Sequence, residues 1–158
     1  MGWFLGFVVA AFTLSILRGA PWLPTRSRDA KRALELLDLK PGQTLVDLGC
    51  GSGELLLAAA RAELQTVGYE INPLLWLVAY VRTRPYHQRV KVVLGDYWLR
   101  PLPPCDGVYV FLIDHFMAKL ERKLVRELVP GNKVVSYIFT LPLQAAVAED
   151  KGLYLYKF

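Results

Sequence analysis

The sequence is poor in cysteine: it contains only Cys50 and Cys105. They allow at most one disulfide, and Cys50 lies within a glycine-rich segment, a poor place for a covalent bridge. We therefore expect two reduced thiols, as is usual in a cytosolic compartment. No cluster of histidine, cysteine and carboxylate side chains has the spacing of metal ligands, so no metal site is predicted. The 158 residues show no internal repeat and leave room for one folded domain and little else.

The net charge of +5 is concentrated in two segments, residues 18–32 and 82–100, each with five basic residues against one aspartate. The rest of the chain is net negative, and this uneven distribution argues against a nucleic-acid partner. The first basic segment directly follows an apolar stretch, as the topology of a membrane protein requires. The second segment could face lipid headgroups, an acidic partner or water.

Charge is absent from Gly2 to Leu17, and apolar residues continue to Leu23. A helix over residues 1–23 would be about 34 Å long, enough to cross a hydrocarbon core of about 30 Å. Basic residues follow this run, whereas a cleaved signal peptide needs them before it. The run also has too few polar residues for an amphipathic surface helix. We expect a single-pass membrane anchor at residues 1–23, with the domain of residues 24–158 on the cytoplasmic side, equivalent to an inner-membrane protein.

After the apolar segment, short apolar runs alternate with helical segments, which predicts a doubly wound α/β fold with helices on both faces of a mostly parallel sheet. The predicted strands are Thr44–Leu48, Thr66–Glu70, Val90–Leu94, Gly107–Ile113, Lys133–Phe139 and Leu153–Phe158. The predicted helices run from an N-cap at Ser27 to Leu39, over Glu54–Glu63, from Pro73 to Pro85, and over Phe116–Val129. A strand at Ala145–Ala148 can pair with the last strand in an antiparallel hairpin.

After the first strand the chain reads Asp47-x-Gly49-x-Gly51-x-Gly53 and then enters a helix. Glycines let the backbone turn tightly and approach a ligand where a Cβ atom would collide. The N-terminus of the following helix favours negative charge, such as a cofactor carboxylate. The spacing differs from the G-x-G-x-x-G motif of dinucleotide dehydrogenases, because Glu54 stands where that motif has a glycine. An incidental glycine turn in another α/β protein is the alternative interpretation.

Acidic residues also end the next two strands. Glu70 ends the second strand, where a carboxylate can accept hydrogen bonds from both hydroxyls of a ribose. Asp96 follows the third strand, and Tyr97 and Trp98 come directly after it. These two aromatic rings could flank a bound adenine, or they could be ordinary core or rim aromatics.

The glycine spacing resembles motif I of the class I, seven-β-strand methyltransferases, which use S-adenosylmethionine. A narrower resemblance rests on Pro-x-x-Pro-Thr at residues 21–25, the glycine segment at 45–54, Gly-Tyr-Glu-x-Asn-Pro at 68–73, and residues 119–128. With the apolar N-terminus, these look like the membrane-anchored lysine methyltransferases of mitochondria and their prokaryotic relatives, which modify lysines of the ATP synthase c-subunit and of the adenine nucleotide carrier. The resemblance implies a Rossmann-like sheet of seven strands with an antiparallel C-terminal strand.

The resemblance also implies which residues bind the cofactor. In such enzymes the segment before the first strand closes over S-adenosylmethionine, which implicates Pro24 and Thr25. The full set of implied cofactor-binding residues is Pro24, Thr25, Asp47, Gly49, Cys50, Gly51, Gly53, Glu70, Asn72, Asp96 and Tyr97.

The acceptor side carries a weaker signal. Many amine and amide methyltransferases have an Asn/Asp-Pro-Pro-Tyr motif after the fourth strand, but this chain has Asp114 and His115 in that region. Asp114 could orient an incoming ammonium group, and His115 could relay its proton. Alternatively, Asp114 could be the N-cap of a helix that begins at Phe116, and His115 could be structural.

These features predict a membrane-anchored methyltransferase that acts on a lysine of a membrane protein, near the cytoplasmic face. Two alternatives share the anchor and the cofactor site. One is a small-molecule enzyme that methylates the amine of a lipid headgroup or an isoprenoid. The other is a non-catalytic membrane module that binds S-adenosylmethionine for assembly or stability.

Overall fold

Seven strands form one sheet in the computed structural model, which describes Gly6 and residues 25–158. The strands are β1 Thr44–Leu48, β2 Gln65–Glu70, β3 Val90–Leu94, β4 Gly107–Phe111, β5 Lys133–Tyr137, β6 Ala148–Asp150 and β7 Leu153–Lys157. Their order across the sheet is β3-β2-β1-β4-β5-β7-β6. β1 to β5 are parallel, and β7 runs antiparallel to both of its neighbours. The predicted seven-stranded sheet with an antiparallel C-terminal strand is confirmed.

Four helices lie on the two faces of this sheet: α1 Ser27–Leu37, α2 Glu54–Arg61, α3 Pro73–Thr83 and α4 Asp114–Glu127. The first three pack on one face, where Leu45 of β1 and Tyr109 of β4 meet buried residues of α1 and α2. α4 covers the other face, packing on Val46 and on Val108. Because successive side chains of a strand point to opposite faces, an apolar run such as that of β4 supplies both cores.

The helix ends depart from the predicted ones where the backbone turns left-handed. α1 ends two residues before Leu39 because Asp38 adopts φ +43°, and its N–H bonds the carbonyl oxygen of Leu34. α2 ends before Glu63, which has φ +60°. Such a left-handed residue is a common helix terminator, usually a glycine. These helix ends are difficult to predict from the sequence, because neither Asp38 nor Glu63 is a glycine.

One predicted helix cap and one predicted helix start are wrong. Ser27 is the first residue of α1 and not its N-cap, which is Arg26, and the Ser27 hydroxyl instead donates to the Glu54 carboxylate at the start of α2. α4 begins at Asp114 and not at Phe116, and no side chain caps it. In both helices the first turn begins earlier than the spacing of apolar residues indicates.

The C-terminal hairpin is confirmed, with its first strand at Ala148–Asp150 and not at Ala145–Ala148. Lys151 and Gly152 form its two-residue turn with φ +49° and +81°. Positive φ at both central positions characterises the turn type that matches the twist of antiparallel strands.

None of the helices in residues 25–158 is long and apolar enough to cross a bilayer. The predicted anchor, residues 1–23, and Pro24 lie outside the described residues, Gly6 excepted.

The strand order reverses between β1 and β4, since the chain moves outward to β2 and β3 on one side and to β5 on the other. In open α/β sheets the crevice at the carboxyl ends of such strands is the usual ligand site. The glycine segment follows β1 and Asp114 follows β4, so both lie at this edge of the sheet.

Candidate active site

The loop after β1 has the backbone conformation that its glycines suggest. Gly49, Gly51 and Gly53 have φ of +97°, +53° and +80°, a region that L side chains rarely adopt. A Cβ atom added at Gly49 would meet no atom of the described residues within 4 Å, so the backbone borders open space there. The loop can therefore receive a ligand at close range.

The amides of this loop bind the end of β2. Gly49 and Cys50 both donate to the carbonyl oxygen of Tyr69, at 3.0 and 2.9 Å, and Gly51 donates to the carboxylate of Glu70 at 2.8 Å. These N–H groups are thus already engaged within the chain. They fix the shape of the loop, so other groups must supply most of the bonds to a ligand.

Glu70 is the residue on which the two loops meet. Its side chain is only 6% exposed. One carboxylate oxygen accepts from Gly51, and the other accepts from the backbone N–H of Asn72 at 2.8 Å. Burial raises the pKa of Glu70, while bonds from the Asn72, Gly51 and Ile71 amides oppose that rise. The carboxylate is held in one orientation, with lone pairs left for ligand hydroxyls.

Asp47 is a buried carboxylate that has no hydrogen-bond partner among the described residues. It is 3% exposed at the end of β1, and no described residue donates a hydrogen bond to its side chain. Burial, with a smaller contribution from the neighbouring charge of Glu70, raises its pKa to about 8. A buried charge is costly unless it is paired, so this group favours a ligand with a positive charge or a hydrogen-bond donor.

Two buried donors next to Glu70 also lack partners among the described residues. The Asn72 side-chain oxygen accepts from Leu74 and Leu75 and so caps α3, but its buried Nδ2 has no partner. Tyr97 lies in the core, and its buried hydroxyl likewise has no partner. Unsatisfied buried polar groups are uncommon in native proteins. Both are available for the acceptor atoms of a cofactor.

Other predicted cofactor residues contribute chiefly to packing or to local structure. A Cβ on Gly68 would lie 2.9 Å from the Cys50 Sγ, so the Cys50 side chain fills the space beside β2, and burial raises its pKa far above the usual range. A Cβ on Gly53 would come within 3.2 Å of Ala79, which shows how closely α2 and α3 approach. Asp96 accepts a bond from the Trp98 amide. Thr25 is half-buried ahead of α1.

Sequence reasoning missed Arg82 and Ser27 as supports of the glycine loop. Arg82 of α3 donates to the Ser52 carbonyl and, at 2.7 Å, to the carboxylate of Glu54. Ser27 also donates to this carboxylate, and the two bonds lower the pKa of Glu54. These contacts join α1, α2 and α3 through residues far apart in the chain, so no local sequence pattern predicts them.

Sequence reasoning also missed Tyr109, the register partner of Asp47 on β4. Its hydroxyl is buried and has no partner in good hydrogen-bond geometry among the described residues. Burial raises the pKa of Tyr109, and the side chain of Thr25 opposes that rise. The only sequence signal of Tyr109 was one polar group within an apolar strand.

Asp114 and His115 stand at the carboxyl end of β4, and both are exposed. The His115 ring contacts Phe116 edge-on, with centroids 5.1 Å apart. Because Asp114 does not cap α4, the structural role considered for it is absent. The two side chains border the same edge as the glycine loop and can meet an acceptor from solvent.

The residues present fit S-adenosylmethionine. Its ribose hydroxyls suit the fixed Glu70 carboxylate, and its amino group suits Asp47, which lacks a partner. The buried donors of Asn72 and Tyr97 suit acceptor atoms of the ligand. This donor and acceptor set, beside a loop with open space, matches the chemistry of that cofactor.

Replacement of Asp47 by Asn should change how stability depends on pH. Unfolded aspartate has a pKa of about 3.9, so the native state keeps a proton that the unfolded state loses between about pH 4 and pH 8, and wild-type stability falls as pH rises. The Asn variant has no carboxyl at this position, so its stability does not fall for this reason as pH rises. Its advantage over wild type should grow by at least about 1 kcal/mol from pH 5 to pH 8, equivalent to about 2–4 °C.

Thermal unfolding of the purified ligand-free chain in detergent measures this difference. Asp38→Asn is the matched control, because Asp38 is exposed and Lys40 holds its pKa below the usual range. If the thermal unfolding midpoints of wild type and Asp47→Asn change by the same amount from pH 5 to pH 8, Asp47 is not a destabilising buried acid.

Comparison with known proteins identifies the family. The model of the ANTKMT methyltransferase domain matches residues 47–148. The ATP synthase c-subunit lysine N-methyltransferase of Rattus norvegicus is 36% identical over 77% of this chain and 57% of its own length. The chain thus spans little more than half of that relative. A protein-lysine N-methyltransferase of Saccharolobus islandicus is 28% identical over 90% of this chain and 96% of its own length.

A solved structure agrees with the fold and with the cofactor. The RNA methyltransferase of Salinibacter ruber, crystallised with S-adenosyl-L-homocysteine, superposes with a TM-score of 0.80. It is 29% identical and covers 85% of this chain and 93% of its own. The predicted cofactor and the predicted family are both confirmed. The chain belongs to the ANTKMT methyltransferase domain family, and its cofactor is S-adenosylmethionine.

Proposed function

We propose that this chain methylates a lysine side chain of a membrane-associated protein, and that residues 1–23 anchor it to the bilayer with the domain of residues 24–158 on the cytoplasmic side. The observation that carries the proposal is a pair of buried carboxylates at the reversal of strand order. Backbone amides fix Glu70, and Asp47 has no partner among the residues that the structure describes. The relatives named as lysine methyltransferases support the acceptor class.

When bound, S-adenosylmethionine supplies an electrophilic methyl group. Glu70 orients the cofactor, because backbone amides hold both of its carboxylate oxygens. Burial raises the pKa of Asp47 to about 8, so its carboxyl holds a proton at neutral pH in the ligand-free chain. A cationic amino group bound beside it would favour the ionised form, because electrostatic attraction is strong in a dry environment. Alignment of the reactants and exclusion of water can supply much of the rate acceleration of a direct displacement. A preformed site of this kind can provide both.

The acceptor must be a neutral amine when it reacts, yet the reference pKa of lysine is about 10.4. Asp114 and His115 lie exposed at the adjacent strand end. The Asp114 carboxylate attracts and orients the incoming ammonium group, and a neutral His115 accepts its proton directly or through water. Both can do so without opening the buried cofactor pocket.

The sequence supports attachment to a membrane. Residues 2–17 are uncharged, and basic residues follow them, a charge bias that favours a cytoplasmic domain. An anchor confines enzyme and substrate to one surface and raises their effective concentration. It therefore favours a substrate lysine close to the bilayer.

Radiolabelling of membranes tests the acceptor class. The full chain is incubated with host membranes and S-adenosylmethionine that carries a tritiated methyl group, and protein, lipid and RNA fractions are counted separately. We expect the label in protein, as methylated lysine after hydrolysis. Label confined to lipid would instead support methylation of a headgroup or isoprenoid amine. Label confined to RNA would favour the activity named for the Salinibacter relative, and cofactor binding without any transfer would favour a non-catalytic module.

Asp114→Asn should lower kcat/KM for the labelled membrane protein by at least about tenfold, because the variant loses the charge that orients the acceptor. The affinity for S-adenosylmethionine should stay within about twofold, since Asp114 lies outside the buried carboxylate pair. Glu35→Gln, which removes an exposed carboxylate on α1, is the matched control and should leave both quantities unchanged. Equal loss in the two variants, or a loss of cofactor affinity alone, would remove Asp114 from the acceptor side.

A further inference from the structure

The outer face of α3 consists of exposed apolar side chains. Leu77, Val78, Tyr80 and Val81 are 50%, 44%, 49% and 60% exposed. At 100° per residue, Leu77 and Val81 lie opposite the buried side of the helix, which packs on the sheet and on α2. We call these four residues the outer face.

α3 is apolar on both sides, and Arg82 is its only charged residue. A surface helix of a globular protein normally has one apolar stripe and one polar side, and a helix that is apolar all round is usually buried. Trp76 stacks on Tyr80 with ring centroids 5.5 Å apart, which fixes the Tyr80 ring on the exposed side. A contiguous exposed apolar patch of this kind marks an interaction site.

Basic residues surround the C-terminal end of the outer face. Residues 73–91 contain four arginine and lysine side chains and no acidic one. Arg82 and Arg89 pair with glutamates at the start of α2 and just beyond its end.

Arg84 is exposed, and it forms no ion pair within residues 25–158. Lys91 alternates on β3 with Val90 and Val92, which pack on the α3 side, so its side chain leaves the opposite face of the sheet. The patch is therefore apolar at its centre and has a cation, Arg84, at its margin.

Charge decides among the surfaces that could cover this patch. Residues 73–91 of a second copy contain no acidic side chain to meet Arg84. The apolar residues 2–17 of this chain contain none either. An anionic bilayer suits both the apolar centre and the charged margin, because acyl chains and the interface accommodate Leu77 and Val81, and headgroup phosphates meet the Arg84 guanidinium. Tyr80 has the amphipathic ring that favours the interface.

We propose that the outer face of α3, with Arg84 at its C-terminal end, docks on the surface of an anionic lipid bilayer. This contact belongs to the methyltransferase domain and is additional to the anchor of residues 1–23. α3 begins at Pro73, which directly follows Asn72 and the loop after Glu70, so docking holds the cofactor site at the membrane surface. The inference rests on the proposed function, because methylation of a membrane-associated protein is what such docking would serve.

A fluorescent probe on the outer face tests the docking. The full chain carries Cys105→Ser and Val81→Cys, labelled with an environment-sensitive nitrobenzoxadiazole, while Cys50 is buried with a raised thiol pKa and stays unlabelled. Val125→Cys is the matched control, because Val125 is 64% exposed on α4, across the sheet. Both chains are reconstituted in phosphatidylcholine vesicles with and without phosphatidylglycerol, and brominated lipid is the quencher.

In vesicles that contain phosphatidylglycerol, we expect brominated lipid to remove roughly half of the fluorescence at position 81 and little at position 125. Arg84→Glu, or omission of phosphatidylglycerol, should reduce the quenching at position 81 at least about twofold. Equal quenching at the two positions would overturn the docking. So would a blue-shifted probe at position 81 in the absence of lipid, since the patch would then be covered by this chain or by a second copy.

The same vesicles are assayed for transfer of labelled methyl groups to a reconstituted membrane fraction. A chain that transfers methyl groups while position 81 stays unquenched overturns the docking alone. A chain that is quenched at position 81 but transfers no methyl group to protein overturns the proposed function alone. The two failures are therefore distinguishable.

Discussion

The Glu70 carboxylate joins the loop after β1 to the loop after β2, and the geometry of the site depends on this junction. One oxygen holds Gly51 in the glycine loop, and the other holds Asn72, whose side chain caps α3. α2 begins just beyond the first of these bonds and α3 just beyond the second. A single buried side chain thereby sets the entry of two helices as well as the shape of the loop. Bonds of an ionised acceptor to backbone amides are stronger than neutral ones, which suits this role.

The site also keeps groups that folding alone would not favour. No described residue pairs with the buried Asp47 carboxyl, or with the buried donors of Asn72 and Tyr97. Each such group costs stability in the ligand-free chain. A ligand with the complementary groups would recover that cost on binding, so affinity for the cofactor and stability of the fold are coupled through the same atoms.

Much of the fold followed from the alternation of apolar runs, and the bounds of β1 and β3 coincide with their prediction. The period of the apolar residues and the spacing of the glycines are local properties of the sequence, so they predict local structure. The Ser27 hydroxyl was misassigned because its partner, Glu54, lies 27 residues away along the chain. For the same reason the sequence could not show that Asp47 lacks a partner or that Tyr109 lies beside it.

The central claim is that the buried carboxylate pair binds S-adenosylmethionine, and calorimetric titration of the full chain with S-adenosyl-L-homocysteine tests it most directly. Glu70→Gln retains the shape of the side chain but loses the charge and one acceptor oxygen. The account predicts binding by wild type and an affinity at least about tenfold weaker for the variant, with thermal unfolding confirming that it is folded. Equal affinity of a folded Glu70→Gln variant and wild type would contradict the account.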